Sequence, residues 1–439
     1  GELHLAVRED VKTLNPYLAL NASEEFVVSL LYDTLLDDDL RSGLQPNLAE
    51  RWELAADGVN LICWLNPQAR WHNGQPVTAQ DVAFSFNLVR QKQFPGFVRI
   101  AALVDRVEAV SLREVKFVLL AKRADAVRLL GTKLRIVPAE LWEKVGDPLQ
   151  DANLDNPIGS GPFLLLERGE GKQLVLRNTR VHHCTRPSIE TLVLEILRDE
   201  DKALRALKDG KLDGLGWDIA PELASKVHDD PDSYTGIKLL EAPGTSTQIL
   251  LINLRKAPYD NRAFRQALAL AIDTQAIVDA VLIGFGDTVS LGLFPPASPW
   301  RNPNVTPIAF EPQQAMQTLE TAGFLDRNSD GLRESLDGSA LQIPLVCADL
   351  PSPLQVAELV ATDWQAVGIA TKVTAMPQDR VMPTLMQAQF DIALQSTLLN
   401  EPEMALSYFH TSRGLLRNGR VSGFNYGGYA DPEYDELVT

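Results

Sequence analysis

Between Asn47 and Asn87 the chain reads NLAERWELAADGVNLICWLNPQARWHNGQPVTAQDVAFSFN, and this stretch limits the fold more than any other. Asp57-Gly58 is a two-residue hairpin signal, because both central positions of such a turn take positive φ. Asn60 to Leu65 then alternates. Leu61, Cys63 and Leu65 face one way and Ile62 and Trp64 the other, as in a strand packed on both sides. Asn73-Gly74 marks a second tight turn. Thr78, with Asp81 three residues on, makes a capping box that starts a helix, and Val82, Phe86 and Val89 share one face of it. The stretch is strand, turn and helix, with no residue of catalytic type in a catalytic setting.

The ordered text Ala49-x-x-Trp52, Asp57-Gly58, an aromatic strand, then Trp71-His72-Asn73-Gly74-x-Pro76-Val77-Thr78-Ala79-x-Asp81-Val82-x-Phe84-Ser85 resembles the signature of the family 5 extracellular solute-binding proteins. These are the peptide-, nickel- and oligosaccharide-binding receptors of ABC importers. The family usually has Phe-His-Asp-Gly where this chain has Trp71-His72-Asn73-Gly74. Further likeness lies in Leu14-Asn15-Pro16, in Asn156-Pro157-Ile158-Gly159-Ser160-Gly161-Pro162-Phe163, and in the Asp213 segment. It extends to FRQALALAIDTQAIVDAVLIGFG from Phe264 and to Phe390-Asp391.

The resemblance implies a mixed α/β, two-lobed fold of the periplasmic-binding-protein type II-like kind with an extra domain. Domain I would take residues 1–36 and 157–242, domain II residues 37–156, and domain III residues 243–439. The family continues past Asp431–Leu437 and returns to domain I, so the C-terminal part of its fold is expected to be missing here.

Composition agrees with this class. A chain of 439 residues suggests two or three domains. Its 45% hydrophobic content can fill cores, and the mean hydropathy is -0.08. No apolar run reaches transmembrane length. The chain opens directly on strand-like GELHLAV, so a secretory signal or lipoprotein leader, if encoded, is not part of this sequence. A net charge of -17 disfavours nucleic acid, whose binding needs Lys/Arg-rich surface, and it disfavours anionic lipid. Cys63 and Cys347 sit in apolar strand patterns and read as buried hydrophobes, and no CxxC spacing suggests zinc or redox chemistry.

Along the chain, Glu2 to Val7 reads as a strand, Glu24 to Leu36 as an amphipathic helix and Asp37 to Asp39 as the start of a loop. Asn156 to Phe163 holds two glycines and two prolines and makes a stiff return. It is no phosphate-binding loop, since the GK[ST] ending and the following helix are lacking. Phe264, Ala267, Leu268, Ala271 and Ile272 fall on one buried stripe of a helix. Pro295-Pro296, Pro299, Pro303 and Pro307 give an extended loop. Leu341–Cys347, Pro353–Val367 and Ile369–Ala375 read as a strand–helix–strand crossover, with Gly368 ending the helix.

Three clusters could carry chemistry. Asp326, Asn328, Asp330, Glu334 and Asp337, with Gly331 between, fit a calcium loop in spacing. The last position is Asp where a bidentate Glu is wanted, and a strand follows instead of a helix, which favours a polar turn. Calcium is the one cofactor this pattern admits. His182-His183-Cys184 holds three ligand types, but neighbours on an extended segment point opposite ways and do not converge without a sharp bend. The 58 carboxylates mark no acid/base pair, so a glycoside hydrolase is a weak alternative.

The resemblance places the solute in a cleft between domains I and III, closed by hinge motion. The cleft candidates it implies are Asn21, Trp217, Thr245, Gln248, Gln395, Thr397, Leu398, Glu401, Asn425 and Tyr426. Peptide-binding members pair the ligand's α-amino group with an Asp in a segment like Ala-Asp-Tyr-Asn-Glu-Pro. Here Thr397-Leu398-Leu399-Asn400-Glu401-Pro402 puts Leu398 at that place. A buried ammonium without a carboxylate is expensive, so ordinary peptides are expected to bind weakly. The expected partners are a small solute, peptide-like or an oligosaccharide, and an ABC permease. The protein is expected to be an extracytoplasmic monomer without enzymatic chemistry. The other reading is a ligand-sensing module of a signalling or regulatory protein built on the same fold.

Overall fold

The computed structural model describes residues 1–39, 42–123, 125–169, 173–184, 186–242, 244, 246–289, 294, 298, 300–398 and 407–438, without the side chains of Pro95, Arg99 and Leu398. The chain divides into two compact units. Gly1–Ile219 and Asp230–Lys238 form the first, and Ala220–Asp229 and Leu239–Thr439 the second.

The first unit contains a sheet in the order Gly214–Leu215, Glu2–Val7, Thr191–Ile196, Leu174–Asn178, Phe163–Arg168. Glu2–Val7 runs parallel to Thr191–Ile196, so the start of the chain is held by a segment far along it. A second sheet has the antiparallel order Ala49–Leu54, Asn60–Leu65, Glu114–Leu119, Val104–Ala109. Helix Ala79–Lys92 covers one face of it, with Phe86 edge-on to Phe117 at 6.1 Å.

The alternation of Asn60–Leu65 is realised with one fully buried side. Leu61, Cys63 and Leu65 are buried, while Ile62 and Trp64 are half-buried. The outer ring of Trp64 is shielded by the Arg51 guanidinium, 3.5 Å from the ring centre. The hairpin before it is longer than a two-residue turn. Ala55 N–H donates to Asn60 O, and the Asp57 carboxylate accepts from the N–H groups of Val59 and Asn60. That Asx-type bonding widens the loop, with Gly58 at the left-handed position. The helix at Ala79 starts as its sequence implies: Asp81 Oδ2 accepts from Thr78 N–H and from its hydroxyl, both at 2.8 Å.

The first helix ends at Leu31, five residues before the Leu36 expected from the apolar pattern. Tyr32 is already extended, and Leu36–Asp39 forms a hairpin strand with Gly43–Pro46 where a loop is expected. Leu35 and Leu36 are buried in either geometry, so their apolar character does not separate helix from strand. Asn15 of Leu14-Asn15-Pro16 is fully buried, and its amide donates to the carbonyls of Pro148 and Asp151. It latches the N-terminal loop onto a distant turn.

The second unit is built on the sheet order Ser246–Ile252, Ile392–Leu398, Gln342–Ala348, Ala370–Met376. The first pair is antiparallel and the others parallel. Helix Pro351–Ala366 links the parallel pair Gln342–Ala348 and Ala370–Met376, and Gly368 follows it at φ +84. One face of this sheet, through Ile343, Leu345, Ile392 and Leu394, packs on Phe264, Ala267, Leu268 and Trp364. Phe264, Ala267, Leu268 and Ala271 of the expected stripe are buried, while Ile272 lies past the helix, which ends at Leu270, and is half-buried. The other face, through Ile249, Leu251 and Ala393, packs on Leu385, Phe390, Tyr408 and Tyr426. Cys63 and Cys347 are buried free thiols and Cys184 is an exposed one. No helix among the described residues is long and apolar enough to cross a membrane.

Candidate functional site

Strand periodicity builds the site in the second unit. Thr247 lies opposite Thr397 and Ile249 opposite Gln395, so Thr247, Gln395 and Thr397 share the face that carries Tyr408. Thr397 Oγ1 and Tyr408 OH hydrogen-bond at 2.9 Å in a buried setting. Gln395 Nε2 contacts Met382 Sδ at 3.6 Å. Thr247 Oγ1 and Gln395 Oε1 are buried and have no partner among the described residues. A buried polar atom left unpaired costs about 1–3 kcal/mol, so two together on one face call for a reason.

The other expected contacts divide into several kinds. Trp217, half-buried in the first unit just past the edge strand Gly214–Leu215, also has a buried, unpartnered Nε1. Gln248 is exposed on the opposite sheet face and donates to Ser352 Oγ at 3.2 Å. Asn21 caps helix Ala22–Leu31: its Oδ1 accepts from Glu24 N–H and its Nδ2 donates to Asp10 O. Both polar ends are thus taken up by the backbone. Its edge lines a pocket of about 410 Å³ with Arg8, Glu9, Asp10, Lys12 and Arg198. Thr245, Glu401, residues 399–402 and the Leu398 side chain lie outside the described set, as does most of the proline loop from 290 to 299.

Asn425 and Tyr426 are both buried. Asn425 is 1% exposed, and its amide donates to the carbonyls of Phe409, His410 and Tyr429. Its donors are used up in holding that loop together. Tyr426 is 2% exposed and packs edge-on against Tyr408 and Phe424 in the core. Burial, then the neighbouring Tyr408, pushes its hydroxyl up to about 12.

The acidic loop is bonded as a turn. Asp326 accepts from the N–H groups of Asp330 and Gly331, Asn328 from Asp330 N–H, and Asp330 from Leu332 N–H. Asp337 belongs to a separate turn, accepting from Ser339 N–H and its hydroxyl.

The histidine pair departs from the sequence expectation. The rings of His182 and His183 lie 4.2 Å apart instead of on opposite sides. The segment is bent, not extended: Cys184 N–H turns back to His182 Nδ1 at 3.3 Å, and Arg180 sits at φ +60. Sequence spacing carries no sign of that bend.

Residues 43–414 match the model described as bacterial extracellular solute-binding proteins, family 5 middle. The chain is 28% identical to the dipeptide-binding protein of Escherichia coli over 75% of this chain and 62% of that protein. It is 27% identical to heme-binding protein A of Haemophilus influenzae over 75% of this chain and 61% of that one. The chain thus spans about three fifths of the length of these relatives. It is also 28% identical to the probable ABC transporter periplasmic-binding protein SapA of Escherichia coli, over 98% of this chain and 80% of the relative. Among solved structures, HbpA2 from Haemophilus parasuis superposes with a TM-score of 0.85 at 23% identity, covering 100% of this chain and 87% of that one. The signature from Ala49 to Ser85, the two-unit α/β architecture and the span of the match agree, and the chain belongs to the family 5 bacterial extracellular solute-binding proteins.

Proposed function

We propose that the protein is an extracytoplasmic receptor that captures a small solute and delivers it, chemically unchanged, to an ABC permease. Family membership supports this class, since the relatives include a dipeptide-binding protein, a heme-binding protein and a nickel-binding periplasmic protein. Those names cover unlike ligands, so they do not choose the solute here.

The observation that carries the reading into this chain is the buried, unpartnered pair Thr247 Oγ1 and Gln395 Oε1 on one sheet face beside Tyr408. A hydroxyl, an amide oxygen and a phenol suit hydroxyl- or amide-bearing solutes, as in an oligosaccharide or a blocked peptide. Leu398 at the amine-pairing position argues against free peptides.

The test is mass spectrometry of compounds that co-purify with the protein, followed by calorimetry with the compound found. Gln395→Ala is expected to weaken binding about tenfold, the worth of one lost hydrogen bond, without lowering the melting temperature of the free protein. Conversion of the compound into a product would show an enzyme instead. Unchanged affinity in Gln395→Ala would remove this face from the site.

A further inference from the structure

We propose that Asp33, His182 and His183 form a binding site for a late first-row divalent cation, with Zn2+ as the probe ion. Among the described residues these are the group of three potential ligands whose donor atoms converge, all within 4.8 Å of one another. They come from distant stretches. Asp33 lies just past helix Ala22–Leu31, and the histidines lie between strands Leu174–Asn178 and Thr191–Ile196. Two imidazoles and a carboxylate suit Zn2+, Ni2+ or Cu2+, whereas Ca2+ and Mg2+ take oxygen donors. Zinc bonds of about 2.0–2.2 Å in a tetrahedron set ligand atoms roughly 3.3–3.5 Å apart, so the three donors need to draw in by at most about 1.5 Å.

The surroundings hold His183 as a cation requires, whereas at His182 the Cys184 N–H to Nδ1 bond of 3.3 Å leaves the proton on Nε2 and has to open before Nε2 can bind a cation. His183 Nε2 lies 3.0 Å from Asn47 Oδ1, and Asn47 Nδ2 donates to Asp37 Oδ1 at 3.0 Å. Because the amide nitrogen is committed to Asp37, its oxygen faces the ring. His183 Nε2 therefore carries the proton, and Nδ1 keeps its lone pair. An outer partner that fixes tautomer and ring orientation is the usual support of a metal-bound histidine. Asp33 and His182 are 5% and 4% exposed at the side chain, so both are held by packing.

Cys184 is not included. Its sulfur lies 3.6 Å from Asn47 O as a donor. A pocket of about 410 Å³, lined by Asp33, Asp37, Asn47, Arg135, His182 and Cys184 among others, gives a path in and room for a water ligand.

The bland reading is an ion pair between His182 Nε2 and Asp33 Oδ2 at 3.2 Å. That pair needs neither His183 nor Asn47. A cation would take the place of the proton between Asp33 and His182, with His182 Nδ1 taking up a proton as its bond from Cys184 N–H opens, add His183, and tie the end of the first helix to the loop before Thr191–Ile196.

The experiment is calorimetric titration of untagged protein with Zn2+, with melting curves in parallel. One Zn2+ per chain and a raised melting temperature are expected. His183→Ala is expected to lose at least tenfold in affinity. Asn47→Ala, which leaves all three donors in place, should lose about 10- to 100-fold. His410→Ala, altering a histidine 3.7 Å from Asp435 elsewhere, should bind like the parent. If His183→Ala does not fold, His183→Gln replaces it. Absence of saturable binding, parental affinity in the His183 variant, or thiolate charge-transfer bands with Co2+ would each overturn the assignment.

Discussion

His72 and Gly159 exchange two hydrogen bonds: His72 N–H donates to Gly159 O at 2.8 Å, and Gly159 N–H donates to His72 Nδ1 at 3.1 Å. The second bond sets the tautomer, so Nε2 carries the proton and donates to Gly161 O at 3.1 Å. The histidine of the signature stretch thereby clamps the glycine-rich return segment. Two motifs separate in sequence are one structural joint.

The glycine is needed for space. A Cβ at Gly159 would sit 1.8 Å from Leu31 O, a backbone atom that has no rotamer to escape into. Gly159→Ala is expected to destabilise the first unit by about 3 kcal/mol or more, from overpacking against backbone. Gly146→Ala, with nothing within 4 Å, should stay within about 0.5 kcal/mol. Urea denaturation of both variants checks this, and equal stabilities would show that the return segment yields.

The same joint responds to pH. Burial holds His72 below its ordinary pKa, only partly offset by the Gly161 carbonyl. The unfolded chain therefore takes up the proton first, near pH 6.5, while the folded chain resists it. The stability that His72 contributes is fully present above about pH 6.5 and is lost as pH falls toward its folded pKa. His183 acts with the same sign. His72→Asn should flatten the fall in melting temperature between about pH 7 and pH 5 without abolishing it. A parallel profile in the variant would contradict this.

In the second unit Arg333 is 7% exposed. Its guanidinium donates to Val367 O and Phe324 O, both at 2.8 Å, and to Glu320 at 3.2 Å. A lysine keeps the charge but lacks the planar fork. Arg333→Lys is expected to cost about 2–3 kcal/mol, since buried carbonyls lose their donors. Chemical denaturation measures it, and a cost under half a unit on that scale would mean the carbonyls find other donors.

For the acidic loop, the backbone N–H groups already occupy Asp326, Asn328 and Asp330. Millimolar calcium should leave the melting temperature unchanged, and Asp330→Ala should lower it slightly through the lost turn bond. A calcium-dependent rise that Asp330→Ala removes would establish a calcium site.

The proposed place of Leu398 at the amine-pairing position predicts a change of selectivity. Leu398→Asp should raise affinity for free di- and tripeptides about ten- to a hundredfold, the worth of a charge-assisted hydrogen bond to the ammonium. The gain should vanish on amino-terminal acetylation. Micromolar binding of free peptides by the parent protein would show another carboxylate in that role.

What the sequence determined by itself was local and periodic. The alternation in Asn60–Leu65, the Thr78/Asp81 start, the Phe264 stripe and the Gly368 stop all depend on neighbours within a turn or two, and they stand in the fold. The ordered signature and the fixed spacing of its motifs carried the family. Only tertiary structure decided the rest. The end of the first helix at Leu31, the latch of Asn15 on Pro148 and Asp151, the burial of Arg333 and the clamp of His72 on Gly159 rest on partners far along the chain. The pairing of His182 and His183 rests on a bend that depends on a side chain–backbone bond at Cys184, and their approach to Asp33 on the packing of two distant segments. A sequence specifies its near contacts through dihedral preference and hydrophobic period. Contacts between distant segments form only when whole sheets and helices dock, and that docking decides which polar side chains are buried together.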